Sequence, residues 1–412
     1  MSAMVVESRR EIGPDERAVP KLPWPVPRVD PLGLPTAYSR LLADKPVSRV
    51  RLATGNEAWL VTKHRDVRAV LLDDRFSADA SLPNYPIRSQ AGNLSVLGRT
   101  FVRMDPPKHT TYRRMLGGDF SLKRIRELWP RIERIVEESF EHLAAQPRPA
   151  DFVRDFALPI PSRIICSMLG VPYADHAHFQ RLSTELIDHS LPRQRNLDAG
   201  GALNDYLTGI VAAKEADPGD DILTKLIGQY RRGVLERSEI ADISLLLLVA
   251  GHETTANMIT LGTMALLRDR GKVEMLLARP DLLENVVEEL LRYLTVFQLG
   301  MGRVALADAE VGGVTIPAGS GVLVLLQTAN RDEDVFADPA ELDLYRETKQ
   351  HVAFGYGVHQ CLAQNLARAE LQVVFGRLFQ RFPGLRLAKP IEEIPFREAL
   401  TVYGAFEMPV TW

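Results

Sequence analysis

Cysteine is nearly absent from this chain: Cys166 and Cys361 are the two in 412 residues. Two cannot make a disulfide framework, so nothing in cysteine usage points to secretion. An excess of charge of one sign is missing too. Lysine and arginine total 50 against 53 acidic residues, a formal net charge of −3. That balance argues against a nucleic-acid binder held mainly by phosphate contacts, while leaving room for a local basic patch. No long apolar run is present. The most apolar stretch, residues 243–250, falls far short of the roughly 20 residues that span a bilayer. The charged N-terminus (Glu7, Arg9, Arg10, Glu11, Asp15, Glu16, Arg17) leads into no signal-peptide core. The expected location is the cytoplasm, with no membrane and no nucleic-acid partner. Low-complexity linkers and internal repeats are also missing. Length alone would allow roughly two or three domains, but the lack of linkers outweighs it.

What is present is ordinary for a globular protein with a large core: 46% hydrophobic and 25% charged residues. Pro14, Pro20, Pro23, Pro25, Pro27, Pro31 and Pro35 make residues 1–35 an extended lead-in. Residues 36–412 are then expected to form one large, mainly helical domain with small sheets. Strand-like runs lie at 47–52 and 58–61, helical pattern fills 100–300, and strand candidates return at 304–316 and 321–326. A last helix is expected over 362–382 and a last strand at 400–403.

Two helices are better defined. Asp281 with Glu284 resembles a capping box, and Leu283, Val286, Val287, Leu290, Leu291 and Leu294 follow at i, i+3, i+4 spacing. Glu289 and Arg292, three apart, are neighbours on that helix. A second helix is expected over 238–268. Its middle, 243–250, is apolar almost all round, which implies burial on every side. Gly251-His252-Glu253-Thr254-Thr255 follows directly. A helix-interior Gly costs roughly 1 kcal/mol relative to Ala. An acid and a weak spot in a buried helix point to function, or to a polar kink made by Thr bonding the i−4 carbonyl.

The sharpest segment is Phe354-Gly355-Tyr356-Gly357-Val358-His359-Gln360-Cys361-Leu362-Ala363. Its two glycines favour a tight turn and a close backbone approach to a flat ligand. Cys361 falls at the start of a helix, where partial positive charge and free N–H groups favour a thiolate. A lone cysteine is more often a small buried hydrophobe. Cys166, within Ile164-Ile165-Cys166-Ser167-Met168-Leu169, fits that description. A zinc site is poorly supported, since no second Cys lies at ligand spacing.

The segment 354–363 resembles the haem-binding loop of cytochromes P450, Phe-x-x-Gly-x-(Arg or His)-x-Cys-x-Gly, and departs from it at Ala363, where Gly is usual. Three more segments resemble the same family in the same order. Glu289-Leu290-Leu291-Arg292 resembles its Glu-x-x-Arg pair, Ala250-Gly251-His252-Glu253-Thr254-Thr255 its oxygen-activation motif, and His109-Thr110-Thr111-Tyr112-Arg113 its haem-propionate helix. The likeness runs from about residue 30 to Trp412, and is greatest to actinobacterial enzymes that hydroxylate macrolides, other secondary metabolites, sterol-like compounds and xenobiotics.

The resemblance implies a mainly α, triangular fold, with haem b between the long distal helix and the helix after Cys361. It implies a monomeric monooxygenase that takes O2 as co-substrate and electrons from NAD(P)H through ferredoxin reductase and ferredoxin. Cys361 would be the iron ligand, shielded by Phe354. His109, Arg113, Arg303 and His359 would hold the propionates, and Ala250, Gly251 and Gly355 would lie against the haem. Glu253 and Thr254 would be the catalytic acid–alcohol pair. The Glu289–Arg292 pair would be buried scaffold near Arg331 and Arg346. Arg88, Leu246, Ala250, Leu299 and Val402 would line the substrate pocket. Arg114, Arg346, Lys349 and Arg368 would offer positive charge to the electron donor. Two other readings compete: a peroxygenase using H2O2, a variant that tends to lose the acid–alcohol pair, and a non-enzymatic haem carrier or sensor, which generally lacks the buried distal acid; the intact Glu253-Thr254 pair favours O2.

Overall fold

The lead-in is pinned before the first helix begins. Leu22 N–H donates to the Arg51 carbonyl and Arg51 N–H to that of Pro20, both at 2.8 Å. Leu22, Val26 and Leu32 are buried there. The structure, a computed structural model, describes residues 19–87 and 100–412.

Among these residues the helices are α1 (Thr36–Asp44), α2 (His64–Leu72), α3 (Lys108–Gly117), α4 (Leu122–Ala144), α5 (Pro159–Leu169), α6 (His176–Ile187), α7 (Arg193–Ala216), α8 (Ile222–Arg231), α9 (Arg237–Leu267), α10 (Arg270–Ala278), α11 (Leu283–Leu294), α12 (Leu326–Ala329), α13 (Gln364–Phe375) and α14 (Leu378–Arg381). The strands are β1 (Val47–Arg51), β2 (Glu57–Val61), β3 (Phe76–Ser77), β4 (Ala150–Asp151), β5 (Met301–Ala305), β6 (Ala309–Val311), β7 (Val314–Ile316), β8 (Gly321–Val324), β9 (Arg386–Leu387) and β10 (Pro409–Thr411). They form a five-stranded sheet in the order β1-β2-β8-β5-β3, a three-stranded sheet β4-β10-β9 and the hairpin β6-β7. Only β2 and β8 pair in parallel in the larger sheet. The main apolar core gathers around α9, and a second one covers the larger sheet.

Helix α9 is buried on every side over residues 243–249 and 255–266, as its apolar sequence requires. It starts at a capping box in which Glu236 and Glu239 satisfy each other's backbone N–H groups. No break interrupts it at Gly251. A Cβ at that position would lie 2.8 Å from Ile165 Cγ1, so the glycine lets α5 close on α9. His252 and Thr254 bond back to the carbonyls of Leu248 and Ala250.

Several boundaries differ from the sequence expectation. Asp281 is no cap: its exposed carboxylate is bound by Arg279 at 2.7 Å, and a 3-10 turn over Pro280–Leu282 feeds directly into α11. Residue 326 opens the short helix α12 instead of ending a strand. The expected helix over 362–382 splits into α13 and α14, and its first residue is Gln364, so Cys361 precedes the helix. Residues 400–403 form no ladder, only isolated bridges from Leu400 to Asp188 and from Val402 to Phe297.

Candidate active site

The loop that carries Cys361 is held both from outside and from within. Val352 N–H donates to Asn330 Oδ1 at 2.7 Å, and Cys361 N–H donates to the Phe354 carbonyl at 2.8 Å. Gly355 and Gly357 take φ of +73° and +70°, a left-handed conformation that side chains disfavour. At Gly357 a Cβ would also lie 2.5 Å from the Leu71 carbonyl oxygen. Ala363, by contrast, has φ −93° and ψ 16°. That conformation needs no glycine, so the departure from the family pattern carries no backbone strain. Burial pushes the Cys361 thiol up, against the opposing effects of the Ala363 amide, Arg113 and Arg368. The expected helix-end stabilisation is therefore present but outweighed in the protein alone. Cys166 is 1% exposed and burial pushes it up to about 12, as fits a packed apolar thiol.

Beside this loop the fold gathers four basic side chains from three elements. His109 comes from α3, Arg303 from β5 and His359 from the loop, and the two imidazoles lie 4.1 Å apart between ring centroids. Arg113, one turn on from His109, donates to the Gln360 carbonyl at 2.6 Å. Among the described residues, both ring nitrogens of His109, Nδ1 of His359 and Nη2 of Arg303 are buried without a hydrogen-bond partner. Asp105 is felt electrostatically by His109 and Arg303, but its oxygens are taken by Ser77 and the Ala78 N–H. Desolvation, then Arg303, His109 and Arg113, lower His359 to about 2, and burial lowers Arg303 to about 10. Buried donors left without partners are costly. Here they converge on one place and call for anions. The two carboxylates of a haem fit this donor set.

Helix α9 has one opening in its burial. Residues 243–249 are all buried, yet Ala250 is exposed and Thr254, one turn on, is partly so. Thr254 Oγ1 donates to the Ala250 carbonyl at 2.9 Å. Glu253 points elsewhere. Arg397 Nη1 donates to its Oε2 at 2.6 Å and Thr184 Oγ1 to its Oε1 at 3.0 Å, with His252 Nε2 at 3.7 Å. Burial opposes charge on Glu253, but Arg397, His252 and Thr184 together hold its carboxyl below the usual range. Arg397 and Thr184 were not found from the sequence. A buried acid requires a partner, but a cation 144 positions away leaves no local signal.

The remaining candidates fall in three groups. Leu246 is buried on α9. Val402 is set opposite Phe297, two residues before Leu299, by an isolated antiparallel bridge and by the Tyr403 N–H to Val296 carbonyl bond of 2.8 Å. Arg88 lies outside the described residues. The Glu289–Arg292 pair is fully buried, and Arg346 adds a bond to Glu289 at 3.2 Å. Arg368 grips Glu288 with two bonds, of 2.6 and 2.9 Å, and lies 4.5 Å over the Phe354 ring. Arg346 and Arg368 are therefore committed internally, while Arg114 and Lys349 are exposed.

The thiol loop, with orphaned basic side chains at its edge, points to a haem-thiolate protein. The family model described as Cytochrome P450 matches residues 34–393, and the chain belongs to that family. Pentalenic acid synthase of Streptomyces avermitilis is 46% identical over 94% of this chain and 97% of that one. Vitamin D3 dihydroxylase of Streptomyces griseolus is 42% identical over 94% and 96%. The solved structure of CYP105P1 in complex with filipin I superposes with a TM-score of 0.89 at 38% identity, covering 96% of this chain and 99% of that one. The chain is accordingly an oxygen-incorporating oxidoreductase that uses haem, a small-molecule substrate and redox partners. No helix among the described residues is long and apolar enough to cross a membrane.

Proposed function

We propose that this chain oxidises a bulky, largely apolar secondary metabolite, with protoporphyrin IX haem held by Cys361 and by His109, Arg113, Arg303 and His359. The observation that carries this reading is the set of buried, unpartnered donors on His109, His359 and Arg303 beside the Cys361 loop. When bound, thiolate-ligated haem activates O2, so that one oxygen atom enters the substrate and the other leaves as water. The residues do the rest. Gly355 and Gly357 shape the loop, and Phe354 holds the Cys361 amide through its carbonyl. Ala250 and Gly251 place α9 over the site. Thr254 holds a hydroxyl on the exposed stretch of α9, and Glu253 supplies a buried carboxylate one residue away. The Thr254 hydroxyl passes a proton to the reacting oxygen, a general-acid role worth about 10²–10⁴-fold; Glu253, held charged by Arg397, joins that route only when the arginine lets go. The substrate rests on Leu246, Ala250, Leu299 and Val402, and Arg88, which lies outside the described residues, is the candidate to pair with an acidic group on it. Small apolar walls of this kind suit a neutral molecule, and the relatives named for pentalenic acid and vitamin D3 support that class. A ferredoxin with its reductase passes electrons from NAD(P)H at the face bearing Arg114 and Lys349, in the cytoplasm.

The deciding experiment is Cys361→His. Haem retention is expected in part, with loss of monooxygenase activity and of the red-shifted Soret band of the reduced carbon monoxide complex. A variant that keeps both would remove Cys361 as the ligand. Cys166→Ser is expected to leave the band in place. Thr254→Ala tests the proton route: NADPH use should persist while product per NADPH falls sharply and H2O2 rises. Unchanged coupling would assign the proton to another donor.

A further inference from the structure

Residues 396–405 double back on themselves. Phe396 bridges Ala405, and Arg397 N–H donates to the Gly404 carbonyl at 2.8 Å. This hairpin carries Val402 at its far end and Arg397, the partner of Glu253, at its near end. What holds it is not its own short pairing. Gln298 Nε2 donates to the carbonyls of Arg397, Glu398 and Leu400 at 3.2, 3.0 and 2.7 Å. Arg28, from the lead-in, donates to Gln298 Oε1 at 3.4 Å and to Gln327 Oε1 at 3.1 Å. Gln327 in turn donates to the Gln298 carbonyl at 3.2 Å. The Arg28 guanidinium also lies 4.1 Å over the ring of Tyr403, which is part of the hairpin. Four residues earlier, Trp24 Nε1 donates to the Ala399 carbonyl at 3.2 Å.

Arg28 is unusual among the arginines of this region. The acid two residues on, Asp30, is bound to Arg268 instead. Arg28 spends its donors on two glutamine side chains and the Gly33 carbonyl. A desolvated cation whose hydrogen bonds go to neutral acceptors, with Glu398 and Asp30 acting on it only through space, is a poor stability device. It does fix the rotamer of Gln298, whose amide must present its NH2 group to three hairpin carbonyls while its oxygen accepts. We infer that Arg28 and Gln298 are specificity-setting positioning residues: the lead-in, through them, fixes the hairpin that sets Val402 opposite Phe297. This rests on the proposed substrate wall. Lys at position 28 would not substitute, since an ammonium cannot bridge two acceptors while stacking flat on a ring.

The test uses the haem-loaded full chain and two iron-binding probes, imidazole and 4-phenylimidazole, titrated by the Soret shift. The small probe reports the haem; the added ring must meet the surrounding wall. In Arg28→Met, imidazole affinity should stay within about 2-fold, while 4-phenylimidazole should weaken by about 5- to 20-fold, as loss of a charge-assisted hydrogen bond allows. Gln298→Leu should do the same, and the double variant should be no worse than either single one. Parallel changes in both probes, or additive losses in the double variant, would overturn the inference. Should Arg28→Met fail to fold, Trp24→Phe, which keeps a ring against His189 and removes one donor, should weaken 4-phenylimidazole selectively by about 2- to 5-fold; no selectivity overturns the inference. A parent protein giving no Soret shift with imidazole would instead sink the haem reading beneath it.

Discussion

Arg292 and Arg303 are two buried guanidiniums with opposite settings. Arg292 is 0% exposed and saturated: two bonds to Glu289 at 2.7 and 2.8 Å, and others to the carbonyls of Asn330, Pro339 and Glu341. Arg303 is 2% exposed and donates to its neighbour's carbonyl alone, with Nη2 idle. The chemistry of the group is the same, and its environment decides its role. A saturated buried cation belongs to the scaffold. An unsaturated one, beside His109 and His359 in the same condition among the described residues, is what the proposed anion site requires.

The largest effect should come from the saturated side. Glu289→Gln leaves Arg292 buried without its counter-charge and should destabilise the protein by about 3–5 kcal/mol in denaturant titration. A loss under ~1 kcal/mol would mean the pair is solvated and the contrast is false. On the unsaturated side the sign should invert. Arg303→Met removes an idle buried charge, so the haem-free protein should be as stable as the parent or more so. Haem affinity should fall by about 10- to 100-fold for the lost charged donor. Parallel losses in stability and haem content would make Arg303 scaffold as well.

Glu288 gives a smaller, pH-dependent effect. Burial opposes its charge, but His351 and Arg368 prevail and lower its carboxyl to about 2. A depressed carboxyl stabilises the fold above its unfolded pKa, near 4.5, and that contribution is lost as pH falls from there toward 2. Glu288→Gln should therefore cost about 1–2 kcal/mol at pH 7 and flatten the stability profile across that acid window. A variant profile parallel to the parent's would remove Glu288 as its source. The smallest effect belongs to Ala363→Gly. Since φ is −93° there, restoring the family's usual residue should change stability by less than about 0.5 kcal/mol and leave the Soret spectrum unaltered.

The motifs around Cys361, Glu253, Glu289 and His109 were legible because each depends on neighbours in sequence: a turn needing two glycines, an acid beside an alcohol, an i, i+3 pair. The all-round burial of α9 was legible for the same reason, from the run at 243–250. Side-chain chemistry alone did not show that Asp281 turns to Arg279 and caps nothing, or that Gly251 exists for Ile165. Nor did it show that Arg368 and Arg346 are spent on Glu288 and Glu289. The same holds for the grip of Arg397 on Glu253 and of Arg28 on Gln298, across separations of 144 and 270 residues. By itself the sequence determined the local chemistry: which loop can present a thiolate, which helix must be buried, and where an acid interrupts it. Only the tertiary structure decided which charges are satisfied, because a buried ion takes its partner from whatever element packs against it, and that choice leaves no trace at short range.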